Sequence, residues 1–153
     1  MVIDDFRRRC EFLQRMTLDF VKQVPDEQWE FSPHPRFAPF CKQLRHVVCV
    51  RGVYNDAMTT RRADFSKKHD QYTGALTRDE LTAALIDKQR DLLARLETVD
   101  TEASIDFFGR PFSFGDFAYT VVQHEALHHG QWSIYASLAG FETPLSWQLE
   151  WAL

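Results

Sequence analysis

"QHEALHHGQW", residues 123–132, holds three of the chain's six histidines and sits in surroundings that otherwise read as an apolar helix. At 3.6 residues per turn, His124 and His128 leave the same face one turn apart, so both imidazoles can reach a point about 2 Å from each donor nitrogen. That is a metal-ligand spacing. It also occurs in pairs of ordinary surface or core histidines, so the pair alone decides little. His129 lies about 100° around the helix from His128, outside the cluster, and a place on the surface or behind the ligands suits it better. Gln131 returns to the ligand face and can hydrogen-bond a ligand, a bound water or a substrate.

Glu125 directly follows His124, and the letters "HEALH" match the HExxH pattern in which a glutamate is the base of a zinc protease. That class needs a further ligand downstream, and "HGQWSIYASLAG" has no histidine or acid beyond the motif before Gly140. The protease reading is set aside. Glu125 is kept as a catalytic candidate, with a solvated or helix-bridging role as its plain alternative.

The helix around this motif begins near Ser113, capped by its hydroxyl with Asp116 three residues on, and runs to about Ala139. Gly140 stops it in left-handed geometry, and Pro144 prevents its resumption. Upstream, "TRDE" at 77–80 is a capping box that opens another amphipathic helix to about Glu97, and "DFFGRPFSF" at 106–114 reads as a small hairpin turning at Gly109-Arg110-Pro111. Residues 64–76 carry no sustained period and read as a polar loop with a short helical turn.

Two earlier helices complete the pattern. Phe6, Cys10, Leu13, Thr17, Phe20 and Val21 recur at spacings of three and four from Ile3 to about Val24. A Pro-rich connection, "VPDEQWEFSPHPRFAPF", then denies the chain a continuous helix; its length is unusual in a compact domain and is expected to cover a functional opening. Over about 41–63, Gln43, His46, Val47, Val50, Val53, Tyr54 and Ala57 share one stripe. His46 is the only imidazole on it, and a buried ring nitrogen without a partner costs about 1–3 kcal/mol. Three partners answer that need: a backbone carbonyl, a polar side chain of a neighbouring helix, or a metal shared with His124 and His128. Cys49, one turn on, reads as a small core hydrophobe, with fourth ligand as its alternative. His34 and His69 read as solvated loop residues.

The whole chain of 153 residues suits a single domain over 1–153, and 13 Phe and 4 Trp supply its core. A net charge of -4 gives no positive field for phosphate backbones, so nucleic acid is not an expected partner. The basic residues Arg61, Arg62, Lys67 and Lys68 read as a solvated helix end. Three cysteines without CxxC spacing, and no signal-like N-terminus, fit a reduced, cytoplasmic protein. No apolar run approaches the ~20 residues that cross a bilayer. The tail "LSWQLEWAL" at 145–153 is too apolar to dangle and is expected to pack on the helices or on a second subunit of a homodimer.

"HEALHHGQW" followed by "SLAGFETP", with His46 in "LRHVV", resembles the DinB/YfiT-like superfamily across nearly the whole chain. The resemblance implies an all-α four-helix bundle with up-down-down-up topology and a divalent metal held by His46, His124 and His128. His129 departs from it, standing where many relatives carry arginine. The resemblance also implies a transferase or isomerase using a low-molecular-weight thiol, although most members have no assigned reaction. Three imidazoles leave coordination positions open, which suits a metal-dependent transferase or hydrolase acting on a small molecule, with Gln131 and Glu125 as catalytic candidates. Zinc is the first expectation, with nickel or iron as alternatives on ligand softness. The competing reading is a bundle that binds metal or a small ligand without turnover, as sensor, carrier or structural dimer.

Overall fold

The computed structural model describes residues 3–152, so Met1, Val2 and the final Leu153 of the apolar tail lie outside the described residues. The chain is mostly helical. Helix α1 spans Ile3–Gln23, α2 Phe40–Thr60, α3 Arg78–Leu96, α4 Phe114–Ala139 and α5 Leu145–Trp151. A 3-10 turn at Asp26–Gln28 and a 3-10 helix at Phe65–Gln71 occupy the connections on either side of α2.

Local chemistry sets these boundaries. The Ser113 hydroxyl accepts from the Asp116 amide at 3.1 Å, and Gly140 closes α4 at φ 82°. Thr77 caps α3 through the Glu80 amide at 3.4 Å. The other half of the expected capping box differs, because the Glu80 carboxylate accepts instead from the Ala75 amide at 2.8 Å and closes the preceding turn.

The hairpin is present, as β1 Ile105–Phe107 and β2 Arg110–Phe112 in antiparallel register. Its turn falls at Phe108-Gly109 rather than on Arg110-Pro111. Both turn residues have positive φ, 55° and 77°, the pattern of a two-residue turn whose twist matches its strands. Backbone bonds from Ala63 to the Asp106 carbonyl (2.9 Å) and from Asp106 to the Arg61 carbonyl (2.8 Å) dock β1 just beyond the end of α2.

The long helices pair through contacts that run in order. Between α1 and α3, Arg7 meets Glu97 at one end and Arg78 reaches the Val24 carbonyl at the other. Between α2 and α3, Arg51 reaches the Leu85 carbonyl, Asn55 the Lys88 carbonyl and Arg95 the Thr59 hydroxyl. From α4, Phe114 packs on Phe6 and Trp132 on Phe20 of α1, while Phe117 packs on Tyr54 and Trp132 bonds Gln43 of α2.

Two apolar clusters result, one around Phe6, Tyr54, Leu92 and Phe117 and one around Phe20, Leu44, Leu81 and Trp132. Between them lies a buried polar layer of Gln14, Thr17, Arg51, Gln89, Glu125 and His129. Arg51 bonds Gln14 and Glu125, and Thr17 links Glu125 to His129, the pairing that buried polar groups generally need. The tail packs on its own chain: Trp147 is fully buried, stacks on Phe20 at 4.7 Å and donates to the Met16 carbonyl at 2.9 Å. No helix among the described residues is long and apolar enough to cross a membrane.

Candidate metal centre

His46 of α2 faces His124 and His128 of α4. The Nε2 atoms of His46 and His124 are 3.2 Å apart, and each of the three rings offers one nitrogen within 4.8 Å of the others. Donors held about 2.0–2.1 Å from a tetrahedral ion stand about 3.3 Å apart, so the separation of the closest pair suits a shared cation. His128 is buried, and its Nδ1 has no hydrogen-bond partner in the protein. Asn55 Oδ1, Gln89 Nε2 and His129 Nδ1 are likewise without partners, so it is the convergence of the three rings that points to a cation. The donor set fits a divalent transition metal.

Burial sets the charge of these rings. It pushes His46 down to about 4, helped by the neighbouring charges of His128, Lys68 and His69. The same desolvation takes His124 down to about 3, again helped by His128 and His46. His128 is lowered by burial as well, with the adjacent Gln131 side chain working in the opposite direction. All three are neutral near pH 7, which is the form that donates a lone pair to a metal. Cys49 is buried against this edge of α2 but does not join the three-nitrogen group. Its thiol is raised by desolvation, with Arg45 opposing, so it is protonated at neutral pH.

Gln131 lies beside His128, as its spacing predicts, and is exposed. Glu125 is elsewhere. Its side chain is 8% exposed, and its Oε2 accepts from Arg51 Nε at 2.9 Å while its Oε1 accepts from Arg51 Nη2 and, at 2.6 Å, from the Thr17 hydroxyl. Burial alone would push this carboxyl up, but the Arg51 guanidinium holds it well below the usual carboxylate range. A carboxylate so engaged is not a free proton acceptor, and of the alternatives for Glu125 it is the helix bridge that the structure shows.

His129 corrects the expectation of a surface place, because it is fully buried. Thr17 gives its single proton to Glu125, so the 2.7 Å contact of its oxygen with His129 Nε2 makes that nitrogen the donor. Trp147 and Trp151 cover the ring at 4.8 and 5.1 Å. Desolvation pushes His129 down to about 4.

The Pro-rich connection contributes no residue to the cavity beside His46. It seals the α2–α4 seam farther along, where Tyr135 donates to the Ala38 carbonyl at 3.0 Å and Phe31 packs on Tyr135. The open side of His46 is toward the 3-10 helix Phe65–Gln71 instead. Lys68, read from sequence as part of a solvated run, and His69, read as a loop residue, both line the cavity there. Sequence gave no signal for that placement, because the segment has no period. Arg51 did leave one: it falls four residues after Val47 and three before Tyr54, a charge on an apolar stripe that demands a buried counter-charge.

A helical chain in which a His pair four apart on one helix faces a third His on another defines a small class of candidate metal proteins. The chain belongs to the DinB superfamily, whose family model matches residues 9–132. A solved DinB-like protein from Bacillus subtilis shares the fold with a TM-score of 0.70, covering 92% of this chain and 96% of that chain at 15% identity. No protein of curated function matches the sequence.

Proposed function

We propose that this chain is a divalent-metal-dependent enzyme, a transferase using a low-molecular-weight thiol or a hydrolase, with His46, His124 and His128 as the ligands. The observation that carries the reading is the convergence of three neutral imidazoles from two helices within 4.8 Å. Zinc is the first metal, and nickel or iron satisfies the same donors. A divalent cation there supplies Lewis-acid charge that lowers the pKa of a water or thiol brought to it.

The chain's own residues do the rest. Burial keeps the imidazoles neutral, Tyr54 packs edge-on against His124 at 5.9 Å, and Gln131 presents an amide beside His128 that can orient a substrate. The Arg51–Glu125 pair fixes the rotation of α4 against α2 and so aims the histidines at one another. Glu125 is therefore a positioning residue. The thiol rests on family resemblance.

The architecture we propose is one domain, a four-helix bundle of α1–α4 with up-down-down-up topology. The ordered contacts support it, since α1 meets α3 end to start, α2 meets α3 start to start, and α4 meets α1 in the same sense. A homodimer rests on Leu145 and Leu149, which the tail leaves exposed.

Calorimetric titration of chelator-stripped protein with zinc tests the reading. One equivalent is expected to bind, and His46→Ala is expected to weaken it by more than about 100-fold, beyond the loss typical of residues that merely support a ligand. Unchanged binding in His46→Ala, or none in the parent, overturns the site. Binding without turnover of any thiol and electrophile, or of any ester or amide, favours the sensor or carrier.

A further inference from the structure

A cavity of about 270 Å³ opens beside His46, lined by Lys42, Arg45, Cys49, Lys68 and His69. Three of these side chains are cations, and no carboxylate is among them. Arg7, Arg15, Arg61, Arg78 and Arg95 each reach a carboxylate. Lys42, Arg45 and Lys68 take part in no ion pair among the described residues. Arg45 instead donates to His69 Nδ1 at 3.2 Å.

In a chain of net charge -4, this is a local excess of three positive charges in a concave wall. Concave walls of one sign concentrate counter-ions. Like charges gathered without partners repel, and the arrangement is relieved by an anion that bonds several of them at once. His46 itself lines this cavity, so the basic wall adjoins the imidazole cluster.

We propose that this cavity holds the acidic end of a small anionic substrate, a carboxylate or phosphoryl group bound by Lys42, Arg45 and Lys68, while the rest of the molecule reaches the three histidines. The idea that the molecule is a substrate rests on the function proposed above; the anion site itself does not.

The test titrates the full chain with succinate and, separately, with inorganic phosphate, following backbone amide shifts by NMR. The same titrations are run on Arg45→Gln, Lys68→Ala, the remote control Lys22→Ala, and His46→Ala. The expected result is saturable binding that Arg45→Gln and Lys68→Ala each weaken about 10-fold or more, that salt weakens, and that Lys22→Ala leaves unchanged. The tighter of the two probes names the acidic group. The dependence on Arg45 and Lys68 should survive in His46→Ala, and anion binding by a parent protein that takes up no zinc sinks only the metal site. Absence of saturable binding by either probe, or equal binding in the Lys68 and Arg45 variants, overturns the anion site.

Discussion

Arg51 Nε donates to Glu125 Oε2 across 2.9 Å, joining α2 to α4 through a pair of side chains only 7% and 8% exposed. Glu125 is the residue next to the candidate ligand His124, and Arg51 lies five positions beyond His46. The pair therefore clamps the two helices at the level where their histidines meet. Leaving either charge buried alone is costly, about 3–5 kcal/mol when one partner of a buried pair is removed. Arg51→Met and Glu125→Leu should each lower unfolding stability on that scale. The double variant should lose less than the sum of the two, because neither charge is then stranded. Urea unfolding of the three proteins measures this. Strictly additive losses would show that the pair is not coupled.

Acid should destabilise the metal-free protein well above the range where carboxylates titrate. Burial holds His46 and His129 down at about 4 and His124 at about 3, against an ordinary value of 6.5. Between pH 6.5 and 4 the unfolded chain takes up protons that the fold refuses, so stability is fully present above 6.5 and falls as pH drops through that window. The urea midpoint should decline steadily from pH 7.5 to 4.5. Bound zinc should steepen the decline, since protons and metal compete for the same nitrogens. A midpoint flat between pH 7.5 and 5 would mean that the imidazoles are solvated.

The residues that sequence could place are those whose reasons are local. His124 and His128 share a face by spacing, and His46 stands out as an imidazole on an apolar stripe. Thr77, Ser113 and Gly140 mark helix ends through their own backbone bonds. What sequence left open depends on chain that returns from far away. His129 is buried because α5 folds back over it, and Lys68 reaches the site because the 3-10 helix docks on α2, where no periodicity announces it. Glu125 illustrates the limit most clearly: helical geometry turns it away from His124, but only the packing of α1 and α2 shows that Thr17 and Arg51 are waiting there.

Trp147 should prove essential to stability although it lies outside the histidine cluster. It is fully buried, stacks on Phe20 at 4.7 Å and lies 4.8 Å from the His129 ring. Replacing such a residue by alanine costs about 3–5 kcal/mol. It should also admit water to His129, whose pKa would move up from about 4 toward the ordinary value. NMR titration of the His129 ring in Trp147→Ala reads the second effect separately from the first. A ring that titrates as in the parent would show that the tail does not shield it.

Gly52 gives a prediction whose sign separates two effects. In an exposed helix interior, glycine to alanine is stabilising by about 1 kcal/mol. Here a Cβ on Gly52 would stand 2.9 Å from the Cβ of Gln71, with the rest of that side chain closer still. Gln71 cannot simply swing away, because its amide donates to Asp56 at 2.7 Å and accepts from Lys88 at 3.1 Å, the bonds that tie the 3-10 helix to α2 and α3. Overpacking of this kind costs about 1–3 kcal/mol, which exceeds the propensity gain. Gly52→Ala should therefore be less stable than the parent. It should also loosen the segment that brings Lys68 and His69 to the cavity, seen as faster amide hydrogen exchange over residues 65–71. Gln71→Ala in the Gly52→Ala background should recover part of the stability, since it removes the atoms nearest the new methyl but not the Cβ. A Gly52→Ala protein more stable than the parent, with unchanged exchange, would mean that the segment is free to shift and that Gly52 is not what seats it.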